Sequence, residues 1–123
     1  MNNIMNEKIY MYILVNQDIT IDEDKLPAQI AQAIAIMLYN QLKITGKPLH
    51  IMEEFMNNYQ KKIVLYCPQN KLEELERQGY VTIRDKKNSE SNMLICVNLG
   101  LLDNNKELPE EFKFIEKLKL VEE

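Results

Sequence analysis

Residues 9–37, IYMYILVNQDITIDEDKLPAQIAQAIAIM, decide the fold. Residues 9–17 are apolar and rich in β-formers. An unbroken run of this kind, bounded by polar residues, predicts a central strand covered on both faces. Residues 18–24 form an acidic connector carrying Asp18, Asp22, Glu23 and Asp24 and no base. Asp24 has the chemistry of an N-cap, because its carboxylate can take a free N–H at the positive helix end. Pro27 then falls in the first turn, where its missing N–H costs little. The helix is expected over 25–44, with Leu26, Ile30, Ala33, Ile34, Met37 and Leu38 as a wide buried stripe. Ala28, Ala31 and Ala35 let it lie close to a sheet. Lys25, Gln29, Gln32 and Ile36 share one side of it, and the two glutamines interrupt an otherwise apolar helix there. Gly46 ends the element.

The pattern continues outward from this unit. A second helix is expected over 48–59, with Pro48 at its start and Leu49, Met52, Phe55, Met56 and Tyr59 along one face. KIVLYC at 62–67 reads as a second strand, ended by Pro68. Residues 69–78 make a short helix with Leu72 and Leu75 inward, closed by Gly79. YVTIR at 80–84 alternates as a strand. DKKNSESN at 85–92 reads as a polar loop, 93–99 as a fourth apolar strand, and 109–119 as a helix on Phe112, Ile115 and Leu118. Strands interleaved with helices give an α/β layered domain. Its 123 residues make one domain, with 1–8 as a loose N-terminal extension.

Composition removes many functions. With three glycines, Gly46, Gly79 and Gly100, no GxGxxG, GxxxxGK[ST] or GxSxG can be written. One histidine, His50, excludes a His-rich metal site and any scheme needing two histidines. Cys67 and Cys96 form no CxxC, so they read as small strand hydrophobes. No metal or cofactor is expected. No run of 18 apolar residues is present, and 1–8 lack a signal-peptide core, so the expected compartment is the cytoplasm, away from membranes. The net charge of −4 argues against a general nucleic-acid binder. Residues 61–87 nevertheless carry seven bases against four acids. One face can still be basic.

The order of motifs resembles the archaeal and eukaryotic type of peptidyl-tRNA hydrolase, the second of two unrelated classes. That family opens with a strand ending R-x-D-L and a helix G-K-[IVM]-A-A-Q-x-x-H-A. Here N-Q-D-I stands at 16–19 and K-L-P-A-Q-I-A-Q-A at 25–33, with the family's seven positions between Asp18 and Lys25. The family's G-Q-K-K-[IV]-V-L-K is similar to Y-Q-K-K-I-V-L-Y at 59–66, and its I-R-D to 83–85. Its last strand, T-V-L-G-I-G-P, resembles I-C-V-N-L-G-L at 95–101, and its tail resembles 115–120. There are departures. The family's helix histidine falls on Gln32 and its R-x-D-L arginine on Asn16. Its basic approach to the helix is replaced by the acids at 22–24. After Asp85 the segment is shorter and lacks glycine and threonine, leaving Ser89 as the hydroxyl at that spacing.

The resemblance implies a three-layer α/β/α sandwich with a four-stranded mixed sheet, usually a homodimer, acting on peptidyl-tRNA. The reaction needs an oriented water, a proton acceptor and a donor facing the oxyanion. Lys25, Gln29 and Asp85 are the catalytic candidates it implies: cation, ester-facing amide and water-orienting carboxylate. Asp18, Gln32, Lys61, Lys62, Lys86 and Ser89 are the substrate-binding candidates, with the lysines, Lys87 included, as a tRNA-facing patch. Each has a plainer reading. Lys25 can be a solvated first-turn residue and Asp85 a turn residue. Asp18 can cap the loop entering the helix, and strand-end lysines are commonly solvated. Gln32 cannot titrate, so it can only place a hydrogen bond. A hydrolase of the peptide–tRNA ester is thus expected beside two alternatives. One is a non-catalytic binding module on the same fold, favoured by Gln32 and the acidic entrance. The other is hydrolysis of a different small ester or amide.

Overall fold

Ile9–Asn16 forms β1, the central strand, buried along nearly its whole length as its continuous apolar run requires. The structure, a computed structural model, describes residues 8–88 and 91–121. Helix α1 follows at Leu26–Thr45, then α2 at His50–Asn57, β2 at Lys62–Cys67 and α3 at Gln69–Arg77. The last part is β3 at Val81–Asn88, β4 at Ser91–Asp103 and a 3-10 helix at Glu110–Lys117. Strand order is β2-β1-β4-β3. β1 and β2 are parallel; β4 is antiparallel to both β1 and β3. The sheet is therefore mixed and four-stranded, and the fold is α/β.

Alternation along β1 divides the core between two layers. Tyr12 and Leu14 face one side, with Leu65, Leu72, Leu75, Phe112 and Ile115 from β2, α3 and the 3-10 helix. Met11, Ile13 and Val15 face the other, with Ala33 of α1 and Phe55 of α2. The sheet lies between the two layers. Arg84 of β3 clamps the α3 side: its Nε and Nη2 donate to the two carboxylate oxygens of Glu76 at 3.0 and 2.7 Å, and its Nη1 donates to Asn92 O at 2.7 Å.

Four expectations are corrected. The segment 85–92 is not a plain loop: β3 runs through Asn88 and β4 begins at Ser91, so Asp85 lies within a strand paired with Met93. A polar composition does not bar a strand whose backbone groups pair in the ladder, as Asp85 and Asn88 do with Met93 and Ser91. β4 continues to Asp103 past Gly100, whose φ of 100° carries the strand through an irregularity opposite Tyr12 and Ile13. The final helix is a 3-10 turn rather than an α-helix. The start of α1 is built by Asp22, not Asp24. The Asp22 carbonyl accepts from the N–H groups of Lys25 (2.9 Å) and Leu26 (3.2 Å), and its Oδ1 accepts from Asp24 N–H at 3.0 Å. The connector closes as a turn on Asp22, and the helix start carries no side-chain cap.

Candidate functional site

β1, β2 and β3 all run the same way, so their carboxyl ends and the beginning of β4 meet at one end of the sheet. Lys25 stands there as the residue immediately before α1, exposed, with helical dihedrals and no side-chain cap. Gln29 follows one turn later, its N–H donating to Lys25 O at 3.1 Å, so the two side chains stack along one face. Asp85 comes from β3. Ile83 belongs to the apolar cluster on the α1 side and Arg84 turns to Glu76, so alternation returns Asp85 to the α1 side.

These three residues line one small cleft. Asp22 and Thr20 complete its polar rim, and Ile21, Met93 and Ile95 are its apolar walls. Its volume is about 10 Å³, room for a single water. The Oε1 of Gln29 is buried and accepts no hydrogen bond from any described residue. A buried acceptor left unpaired costs about 1–3 kcal/mol, which a bound water or substrate N–H or O–H would recover. The cleft thus gathers one cation, two carboxylates and an amide oxygen without a partner.

The other candidates are dispersed. Asp18 is committed to structure. Its Oδ2 accepts from the N–H of Gln69 at 2.7 Å, and its own N–H donates to Asn16 Oδ1 at 2.9 Å. It caps α3 rather than the entry to α1. β1 and β2 end side by side at Asn16 and Cys67, and the residue two past one strand meets the residue two past the other. Gln32 is exposed on α1 and is not among the cleft residues. Lys61 and Lys62 lie at the amino end of β2, at the far end of the sheet. Lys61 Nζ rests 5.0 Å from the centre of the Tyr10 ring. Lys86 and Lys87 belong to β3 beyond Asp85, and their side chains lie outside the description, as does Ser89 altogether. The tRNA-facing lysine patch is therefore not one patch: strand direction separates its two halves. His50 is exposed at the start of α2, 3.5 Å from Glu54. Cys67 and Cys96 are buried, and burial pushes their thiols up to about 11 and about 12, so both remain protonated.

Two asparagines outside the candidate site set fasten the elements around the cleft to one another. Asn16 is buried, and its Nδ2 donates to Leu94 O at 2.9 Å and to Gln69 Oε1 at 3.0 Å, fixing the end of β1. Asn98 is buried in β4. Its Nδ2 donates to Ala33 O at 3.2 Å and its Oδ1 accepts from Gly100 N–H at 2.7 Å. That bond fastens α1 to the sheet one turn beyond Gln29. The signal for both was an asparagine inside an otherwise apolar strand, a position that demands satisfied hydrogen bonds.

The fold and the cleft define a class of protein: an α/β domain with a four-stranded mixed sheet that gathers a lysine, a glutamine and two aspartates where its parallel strands end. The chain belongs to the family Peptidyl-tRNA hydrolase PTH2, whose model matches residues 9–100. The resemblance of 115–120 to the family's tail lies beyond that match. No curated protein matches the chain. Among the described residues, no helix is long and apolar enough to cross a membrane.

Proposed function

We propose that this protein hydrolyses the ester joining a peptide to the 3′ ribose of tRNA. The single observation behind this reading is that Lys25, Gln29 and Asp85 line one cleft of single-water size, in which Gln29 brings a buried, unpartnered acceptor. Water there donates one O–H to Gln29 Oε1 and the other to the Asp85 carboxylate. Its oxygen attacks the ester carbonyl carbon while Asp85 takes the proton. The Lys25 ammonium faces the oxyanion that forms. Collapse breaks the bond to the ribose oxygen, which leaves with the proton held by Asp85. The products are free tRNA and a peptide carboxylic acid, which gives its proton to solvent to become the carboxylate.

The test is release of labelled peptide from peptidyl-tRNA by the purified protein and by Lys25→Ala and Asp85→Asn. Release by wild type and its loss in both variants supports the reading. Absence of release by wild type favours the non-catalytic binding module, for which Asp22 on the cleft rim is the specific observation: a second carboxylate repels a phosphate-bearing substrate. Release from a small ester but not from peptidyl-tRNA favours the other ester reading. The compartment proposed is the cytoplasm, where tRNA carries peptides. The homodimer usual in the family is proposed to form through α1 and α2. There Tyr39, Leu42, Leu49 and Met56 are exposed around an open apolar groove of about 330 Å³.

A further inference from the structure

Three hollows follow one another around the connector between β1 and α1. The water-sized cleft shares Thr20 and Ile21 with a second hollow of about 480 Å³, walled by Leu26, Pro27 and Val121. That hollow shares Ile19 and Tyr66 with a third, of about 590 Å³, bounded by Gln17, Pro68, Lys117 and Lys119. Tyr66 therefore borders both the second and the third hollow, and the second adjoins the cleft through Thr20 and Ile21.

Tyr66 is not spent on the core. Alternation along β2 places it on the same side of the sheet as Val64, which packs into the α1-side cluster. Tyr66 belongs to neither cluster and is 37% exposed. It lies on an edge strand, while α1 packs over β4 and β3. The chain beyond the 3-10 helix fixes the lysines beside it. Tyr66 N–H donates to Lys119 O at 2.8 Å, Leu120 bridges Leu65 in antiparallel fashion, and Val121 N–H donates to Val64 O at 2.9 Å. Lys117 and Lys119 are exposed and make no ion pair among the described residues, and no carboxylate lines this third hollow. The acids sit nearer the cleft: Glu23 on the second hollow and Asp22 on the cleft itself.

We infer that this groove receives the single-stranded 3′ end of an RNA, with a base stacked on the Tyr66 ring and phosphates on Lys117 and Lys119. The inference rests on the hydrolase reading, since the ester of that substrate lies at the end of a single strand. The charge pattern sets the direction. The scissile ester, without phosphate of its own, lies at the mouth of the acidic cleft, facing the water held there. The phosphodiesters lie farther out, in the hollow lined by two cations and by no described carboxylate. An exposed ring with flanking cations is the chemistry by which proteins hold single-stranded RNA without reading its sequence. Both lysines lie outside the residues matched to the family, 9–100, so the family match does not carry this site.

The experiment measures binding of a short 5′-labelled single-stranded RNA ending in CCA, by fluorescence anisotropy, alongside peptide release. Tyr66→Ala should weaken RNA binding by about 5- to 150-fold, the range for losing one stacked base. Tyr66→Phe should bind as wild type does, because the ring remains. Lys117→Gln with Lys119→Gln should lower the slope of log affinity against log salt by about 1.4, at about 0.7 per phosphate contact. His50→Ala is the neutral control. Wild-type affinity and slope in the Tyr66→Ala and lysine variants, with peptide release intact, would overturn the groove and leave the hydrolase reading standing. Equal loss in Tyr66→Ala and Tyr66→Phe would overturn stacking. RNA binding that depends on Tyr66 without any peptide release would keep the groove and remove the hydrolase reading. No RNA binding by wild type would overturn the groove, and absence of peptide release alongside it would remove the hydrolase reading as well.

Discussion

Asp18 and Gln69, 51 positions apart in sequence, are joined by a 2.7 Å hydrogen bond from the Gln69 N–H to the Asp18 carboxylate. The bond ties the start of the connector to the amino end of α3, where a carboxylate also meets the positive end of the helix dipole. Asp18→Ala should cost about 0.5–2 kcal/mol, the range for a lost N-cap. Thermal unfolding followed by circular dichroism checks this. An unchanged melting temperature with a raised KM for peptidyl-tRNA would instead return Asp18 to the substrate-binding set.

Asp85→Asn should lower turnover by about 10²–10⁴-fold, because an amide cannot take the proton from water. Lys25→Ala should lower it by about 10²–10³-fold through loss of the oxyanion partner. His50→Ala should leave it unchanged, since His50 is exposed on α2 beside Glu54. Gln32→His should also leave it unchanged, because position 32 is exposed and outside the cleft lining. Single-turnover peptide release measures all four, and a rate gain in Gln32→His would show that the cleft is drawn too narrowly.

Gln29→Met separates stability from function. Gln29 Oε1 is a buried acceptor without a described partner. Replacing it with an apolar chain of similar length removes an unsatisfied group worth about 1–3 kcal/mol. The variant should therefore unfold at equal or higher urea concentration while releasing peptide more slowly. Lower stability would mean that the amide is already satisfied in the protein.

The Glu76–Arg84 pair predicts a specific loss of stability in acid. The Arg84 side chain, hydrogen-bonded to Glu76, holds that carboxyl below its ordinary value of 4.5. The unfolded chain then binds more protons than the folded one in the interval between the two values. The stabilisation is complete above about pH 4.5 and fades as pH falls through the folded value. Urea midpoints of wild type and Glu76→Gln should differ at neutral pH and converge on acidification. A constant difference would remove the linkage.

Leu42→Glu should break the proposed dimer. In a two-fold interface the substitution sets two carboxylates against an apolar groove, at a cost of several kcal/mol. Sedimentation velocity should show a dimeric wild type and a monomeric variant. A wild type that is monomeric at all concentrations would remove the proposal.

The sequence by itself determined the elements that carry one unmistakable period or punctuation mark. The apolar run of β1, the stripe from Leu26 to Leu38, Gly46, and Pro68 at the end of β2 are local signals. The observed boundaries fall within a residue or two of them. It also singled out Lys25, Gln29 and Asp85, through their place in a series of family-like motifs. Only the tertiary structure decided that these three meet and that Lys61 and Lys62 do not join residue 86. Strand direction puts residues close in sequence at opposite ends of a sheet. It likewise decided that Asp18 caps α3, that 85–88 are strand rather than loop, and that Asn98 holds α1 to β4. Each of those outcomes depends on a partner from a distant part of the chain. Hydrogen bonds of that kind leave no periodic mark on the sequence, because the register and the irregularities of the sheet choose the partner.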